Sequence, residues 1–159
     1  MLSNDHSISL SVKNNEMVII RGNTVSLTLG ATSSRTRTIT EADIRAFAEV
    51  SGDTNPIHLD AEYAATTVFQ RPIAHGMLTA SMISQILGTD LPGLGTIYLS
   101  QSMNFKAPVY IGDTITATIT LVKYRDDKRI ATFETTCTNQ DDKVILDGEA
   151  VVIAPATHS

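Results

Sequence analysis

The sequence predicts an α+β fold in which an antiparallel sheet curls around one long helix. Three observations carry the prediction. A helical period governs the apolar residues between positions 40 and 87. Strict alternation replaces it between positions 97 and 153, in four successive segments. Residues 75–87 are apolar on nearly every side, as a helix enclosed by a sheet must be.

Taken in order, residues 1–16 are polar and without pattern, and read as a loosely held leader with no chemistry. A β-rich run over residues 18–29, broken by Arg21-Gly22-Asn23-Thr24, predicts a hairpin, and residues 35–39 another short extended piece. Residues 1–30 thus form an extension carrying the first strand or strands, ahead of a single domain at 31–155. Thr40 with Asp43 resembles a capping box, and Ile44, Phe47 and Ala48 continue it as a helix of about ten residues. Gly52 suits the left-handed position that closes such a helix, and Asn55-Pro56 cannot continue it. A short helix is expected from Asp60 through Ala65, with a loop at Arg71-Pro72. The apolar helix over residues 75–87 would be roughly 20 Å long, with Gly88 as its stop.

Four strands follow. Ile97, Leu99, Met103 and Phe105 share one face of the first; Ile115, Ala117, Ile119 and Leu121 share one face of the second. Pro108 and Gly112-Asp113 mark a bend between them. A third strand over residues 130–138 and a fourth over 144–153 are joined through polar turns, so all the connections read as antiparallel hairpins.

Composition narrows the function classes. With 159 residues, 42% hydrophobic and 18% charged, the chain can bury enough apolar surface to offset chain entropy. A net charge of -5, with Lys and Arg scattered singly, provides no basic stripe for nucleic-acid phosphates. Cys137 is the only cysteine, which fits a reducing, cytoplasmic setting. No signal-peptide pattern opens the chain, and the longest apolar stretch, interrupted by Thr79, Ser81, Ser84 and Gln85, is far shorter than the ~20 residues a bilayer requires.

Two places could carry chemistry. In Ser51-Gly52-Asp53-Thr54-Asn55-Pro56-Ile57-His58, a glycine and a proline bend the chain, so the Asp53 carboxylate and the His58 imidazole could converge on one point and hold a water. In an extended chain they would stand up to about 17 Å apart. The competing reading is that Asp53 only caps the turn by accepting nearby backbone N–H groups. In Ala74-His75-Gly76-Met77, a glycine opens the apolar helix. Its unpaired N–H groups and positive dipole end suit an oxygen that gains negative charge, although a lone glycine more commonly just relieves crowding. Gly93-Leu94-Gly95 lacks the rest of a dinucleotide fingerprint, and neither a phosphate loop nor a nucleophile elbow occurs. A metal site from His58, Asp60 and His75 has no recognised ligand spacing, so no metal or cofactor is expected.

Read together, Phe47-Ala-Glu-Val-Ser-Gly-Asp-Thr-Asn-Pro-Ile-His58 and Arg71-Pro-Ile-Ala-His-Gly-Met77 closely resemble the MaoC-like (R)-specific enoyl-CoA hydratases, in order and in spacing. The similarity extends over residues 39–155, including Tyr98-Leu-Ser-Gln-Ser-Met-Asn-Phe-Lys-Ala-Pro108, and is nearest to the monofunctional hydratases that feed polyhydroxyalkanoate synthesis. The resemblance implies a hotdog fold with residues 75–87 as its central helix, a homodimer pairing its sheets edge to edge, and an acyl-CoA thioester as substrate. It also implies roles for particular residues. Asp53 and His58 correspond to the catalytic pair, Gly76 to the backbone donor for the thioester oxygen, and Asn55, His75 and Ser84 to supporting or substrate-binding positions.

Overall fold

The computed structural model describes residues 10–11 and 27–156. The predicted hairpin over residues 18–29 lies almost wholly outside them, and residues 27–30 form a loop and turn. Of the leader, Leu10–Ser11 forms β1, paired antiparallel with Ser33 and Thr32.

The next elements follow local chemistry closely. Strand β2 spans Thr32–Thr38 and helix α1 spans Glu41–Ser51. Thr40 caps α1 by accepting from the Asp43 N–H, while the Asp43 carboxylate accepts from the Thr40 N–H at 2.9 Å, so each residue satisfies the other's free backbone donor. Gly52, at φ 76°, closes the helix in the left-handed region. Pro56 follows the end of α1 and starts a one-turn helix, α2 (Pro56–Leu59), where the sequence predicts a loop. Proline suits a first helical position, where no N–H is needed, and the Asn55 side chain caps the turn by accepting from Ile57 N–H. Helix α3 (Ala61–Ala65) follows, capped by Asp60.

Helix α4 spans Gly76–Thr89 and is the spine of the molecule. It runs through Gly88 rather than stopping there. The stop comes two residues later at Asp90, whose N–H donates to Ile86 O at 2.9 Å and whose carboxylate is held by Arg35 through two 2.7 Å hydrogen bonds. Nor is α4 buried on every side. Thr79, Ala80, Met82, Ile83, Ile86 and Leu87 face the core, whereas Met77, Ser81, Ser84 and Gln85 lie exposed along the opposite face.

Strands β3 (Ile97–Phe105), β4 (Thr114–Arg125), β5 (Ile130–Thr138) and β6 (Val144–Ile153) complete a six-stranded antiparallel sheet in the order β1-β2-β4-β5-β6-β3. The alternation read in β4 holds: Ile115, Ala117 and Ile119 are fully buried and Leu121 nearly so, packing with Phe133, Leu146 and Val152 against α4. Strand β3 departs from expectation twice. It pairs with β6 instead of forming a hairpin with β4, because residues 106–113 carry the chain across the sheet's end. Val109 O there accepts from Ala74 N–H at 2.8 Å. A bulge at Leu99 also changes the phase, for Tyr98 lies opposite Val152 and Ser100 opposite Val151. Tyr98, not Ile97, therefore shares the face of Met103 and Phe105. Gly148 makes this pairing possible: a Cβ there would stand 1.9 Å from Ser102 O. The whole is a hotdog fold, a sheet wrapped round α4.

Cys137 sits in the core, where burial pushes its thiol up to about 12.

Candidate active site

The loop after α1 and the entrance to α4 meet at one place. The bend is built locally: Ser51 Oγ donates to Phe47 O at 2.6 Å and accepts from Asp53 N–H at 3.2 Å, and Asp53 Oδ1 accepts from Asn55 N–H at 3.2 Å. The turn-capping reading of Asp53 is thus correct for one oxygen. The other, Oδ2, faces His58 Nε2 at 3.9 Å. Asp53 and His58 converge, as the bend in the sequence suggests.

The second shared feature is segment 73–75, tied to both sides of the site. Ile73 N–H donates to Ile57 O at 3.2 Å, and Ile73 bridges to Tyr110. So fixed, Ile73 offers its carbonyl to His58 Nδ1 at 2.7 Å. A carbonyl can only accept, so His58 carries its proton on Nδ1 there and presents an unprotonated Nε2 to Asp53 in the neutral ring. His75 caps no backbone group with its side chain; its Nε2 donates to the Asp53 carbonyl at 2.9 Å, and its ring stacks on His58 with centroids 3.8 Å apart.

Beside the pair lies a cavity of about 470 Å³, walled by Phe69, Ile73, Gly76, Phe105, Val109 and Ile145, with His58 at its edge. Gly76 is the first residue of α4, so its N–H has no partner within the helix. A Cβ on it would stand 2.6 Å from the Phe105 ring, so only a bare backbone fits between ring and helix. Asn55 supports the loop through its cap of α2. Ser84 is not brought to this cluster; it lies more than two turns further along α4, on the exposed face.

Asp53, His58 and His75 place one ligand atom each within 4.8 Å of one another, whereas Asp60, the carboxylate considered from sequence, is occupied in capping α3. The trio does not fit a metal ion. Imidazole lone pairs lie in the ring plane, and two rings stacked at 29° cannot aim theirs at one ion between them. His75 Nε2 is committed to the Asp53 carbonyl, and its Nδ1 is sealed from solvent.

The sequence reading missed what holds the pair in place, namely the Ile73 carbonyl and the ring stack, and it missed Phe69, Phe105 and Ile145 as cavity walls. Only the Arg71-Pro72 turn signal hinted that the chain doubles back there.

With this fold, the chain belongs to the MaoC like domain family, whose model matches residues 27–143. Its relatives are more specific. It is 54% identical over 127 residues to an (R)-specific enoyl-CoA hydratase of Rhodospirillum rubrum, covering 80% of this chain and 88% of that protein. A 3-hydroxybutyryl-CoA dehydratase of Methylorubrum extorquens is 45% identical over 81% of this chain and 82% of its own length. Among solved structures, the (R)-hydratase from A. caviae involved in PHA biosynthesis superposes with a TM-score of 0.79 at 48% identity, covering 82% of this chain and 98% of that one.

Proposed function

We propose that this protein is a hydro-lyase that adds water reversibly to a trans-2-enoyl-CoA, giving the (R)-3-hydroxyacyl-CoA. The observation that carries this reading is the 3.9 Å separation of two hydrogen-bond acceptors, Asp53 Oδ2 and His58 Nε2, beside an apolar cavity. One water about 2.8 Å from each would donate both protons to them, leaving a lone pair to attack C3 of the conjugated thioester. A water proton passes to His58 Nε2 as the water oxygen bonds to C3 and the C2=C3 electrons move toward the thioester oxygen; the protonated His58 then returns a proton to C2 as the enolate collapses to the thioester, which leaves the ring neutral again. Gly76 N–H, at the positive end of α4, receives the charge on that oxygen. Reversal expels water from the 3-hydroxyacyl thioester.

Loss of enoyl absorbance from crotonyl-CoA with the purified chain tests the activity, and a rate no faster than without protein overturns it. A carrier-protein thioester in a parallel arm decides between the two carriers. The relatives' names support a CoA substrate and a link to polyhydroxyalkanoate supply. Among the described residues no helix is long and apolar enough to cross a membrane, and a buried, unpaired cysteine fits the cytoplasm.

The homodimer is also part of this proposal. Among the described residues, strand β3 ends the sheet with its backbone groups open on one side, and Ile97 (56% exposed), Leu99 (50%) and Phe105 (54%) stand out along it. The exposed face of α4 lies open as well. We expect the native chain to elute at the mass of two copies, and a variant with Ile97→Lys and Leu99→Lys at the mass of one, read by light scattering on a sizing column.

A further inference from the structure

We infer that His75 is a positioning residue that sets the gap between Asp53 and His58. The inference rests on the reading of this site as a hydratase centre. Asp53 sits on an exposed loop, its side chain 52% accessible. The other hydrogen bonds of residues 52–55 stay within residues 48–58, so among the described residues the bond from His75 Nε2 to the Asp53 carbonyl is the one that ties this loop to the rest of the molecule. The same ring lies against His58 and, on the α1 side, meets Phe47 at 5.0 Å between centroids. One imidazole thus touches both members of the pair: one by its backbone, the other by its face.

Two commoner reasons for a histidine here fail. As the residue preceding α4 it would cap the helix, yet its side chain makes no cap bond. As a packing residue it would be better replaced by an apolar ring, because its Nδ1 is buried and, among the described residues, has no partner, and an unpaired buried nitrogen is unfavourable. What an apolar ring could not do is donate from Nε2 to the Asp53 carbonyl. Without that donor the loop keeps only its local turn bonds, and Asp53 Oδ2 is free to drift from the 3.9 Å at which one water spans the pair. The substrate's binding surface does not include the buried His75 side chain, so the loss falls on turnover.

The test uses the full chain and crotonyl-CoA. His75→Phe keeps a stacked ring without the donor; His75→Gln brings an amide N–H close to where Nε2 stood. We expect H75F to lower kcat by about 30- to 100-fold, with KM within about threefold, since sub-ångström to ångström misplacement costs that much. H75Q should regain at least about tenfold of that loss and fall within about fivefold of the native kcat, which stands as the measure if H75F does not fold. Adding H75F to D53N should cause almost no further loss, because the residue acts through Asp53. A native kcat in H75F, no recovery in H75Q, or a full additional loss on the D53N background overturns the role. A D53N protein at the native rate instead overturns the reading of the site itself, and the role with it.

Discussion

Asp53→Asn and His58→Gln are each expected to slow crotonyl-CoA hydration by about 10³-fold, within the range for loss of a proton-transferring group. The reason is the shared water. An Asn amide turned with its nitrogen toward the water donates where the carboxylate accepted, and Gln offers His58's neighbour no lone pair of comparable basicity. Asp53 is half exposed and Asn keeps its shape, so the melting temperature of D53N should move little, whereas H58Q also gives up the stack on His75 and the bond to the Ile73 carbonyl and should melt lower. Because the two groups grip one molecule, the double variant should be hardly slower than either single one. Single-turnover rates measured side by side would check this, and a tenfold loss or less in either variant would show that the pair does not share the water.

Asp90→Ala should cost about 3 kcal/mol of stability, the lower end for stranding one partner of a buried ion pair. Asp90's side chain is 4% exposed and Arg35's 18%, and two 2.7 Å bonds join them where β2 passes the end of α4. Removing the carboxylate leaves a guanidinium that water reaches poorly. The hydrogen bonds from Arg35 hold the Asp90 carboxyl below its ordinary value, so its ionised form is favoured by folding. The sign follows: this contribution is fully present above the unfolded-state value near 3.9 and is lost as pH falls through the lower folded value. Urea midpoints at pH 7 should separate the native and variant chains, and the separation should shrink below pH 4. An unchanged midpoint at pH 7 would count against the pair as a structural tie.

How much of this was readable from sequence depends on the range of the interaction. The Thr40 and Asp43 capping box, the Gly52 terminus and the alternation of Ile115, Ala117, Ile119 and Leu121 are decided within a few residues, and all appear as expected. Helix α4 overruns Gly88 because the pull comes from Arg35, more than fifty residues away. The bulge at Leu99 and the place of β3 beside β6 are likewise set by partners that no local pattern names. The site divides in the same way. Asp53 and His58 lie five residues apart, and their convergence follows from the bend between them. The Ile73 carbonyl that fixes the His58 proton is 15 residues off, and the His75 nitrogen that holds the Asp53 backbone is 22.

The sealed thiol of Cys137 has a practical side. With burial raising it to about 12, almost no thiolate exists near neutral pH, and a thiolate is what alkylating reagents attack. The native surface is therefore silent to maleimide chemistry, and a cysteine placed at Thr54 would be the lone reactive handle for a fluorophore on the loop that carries Asp53.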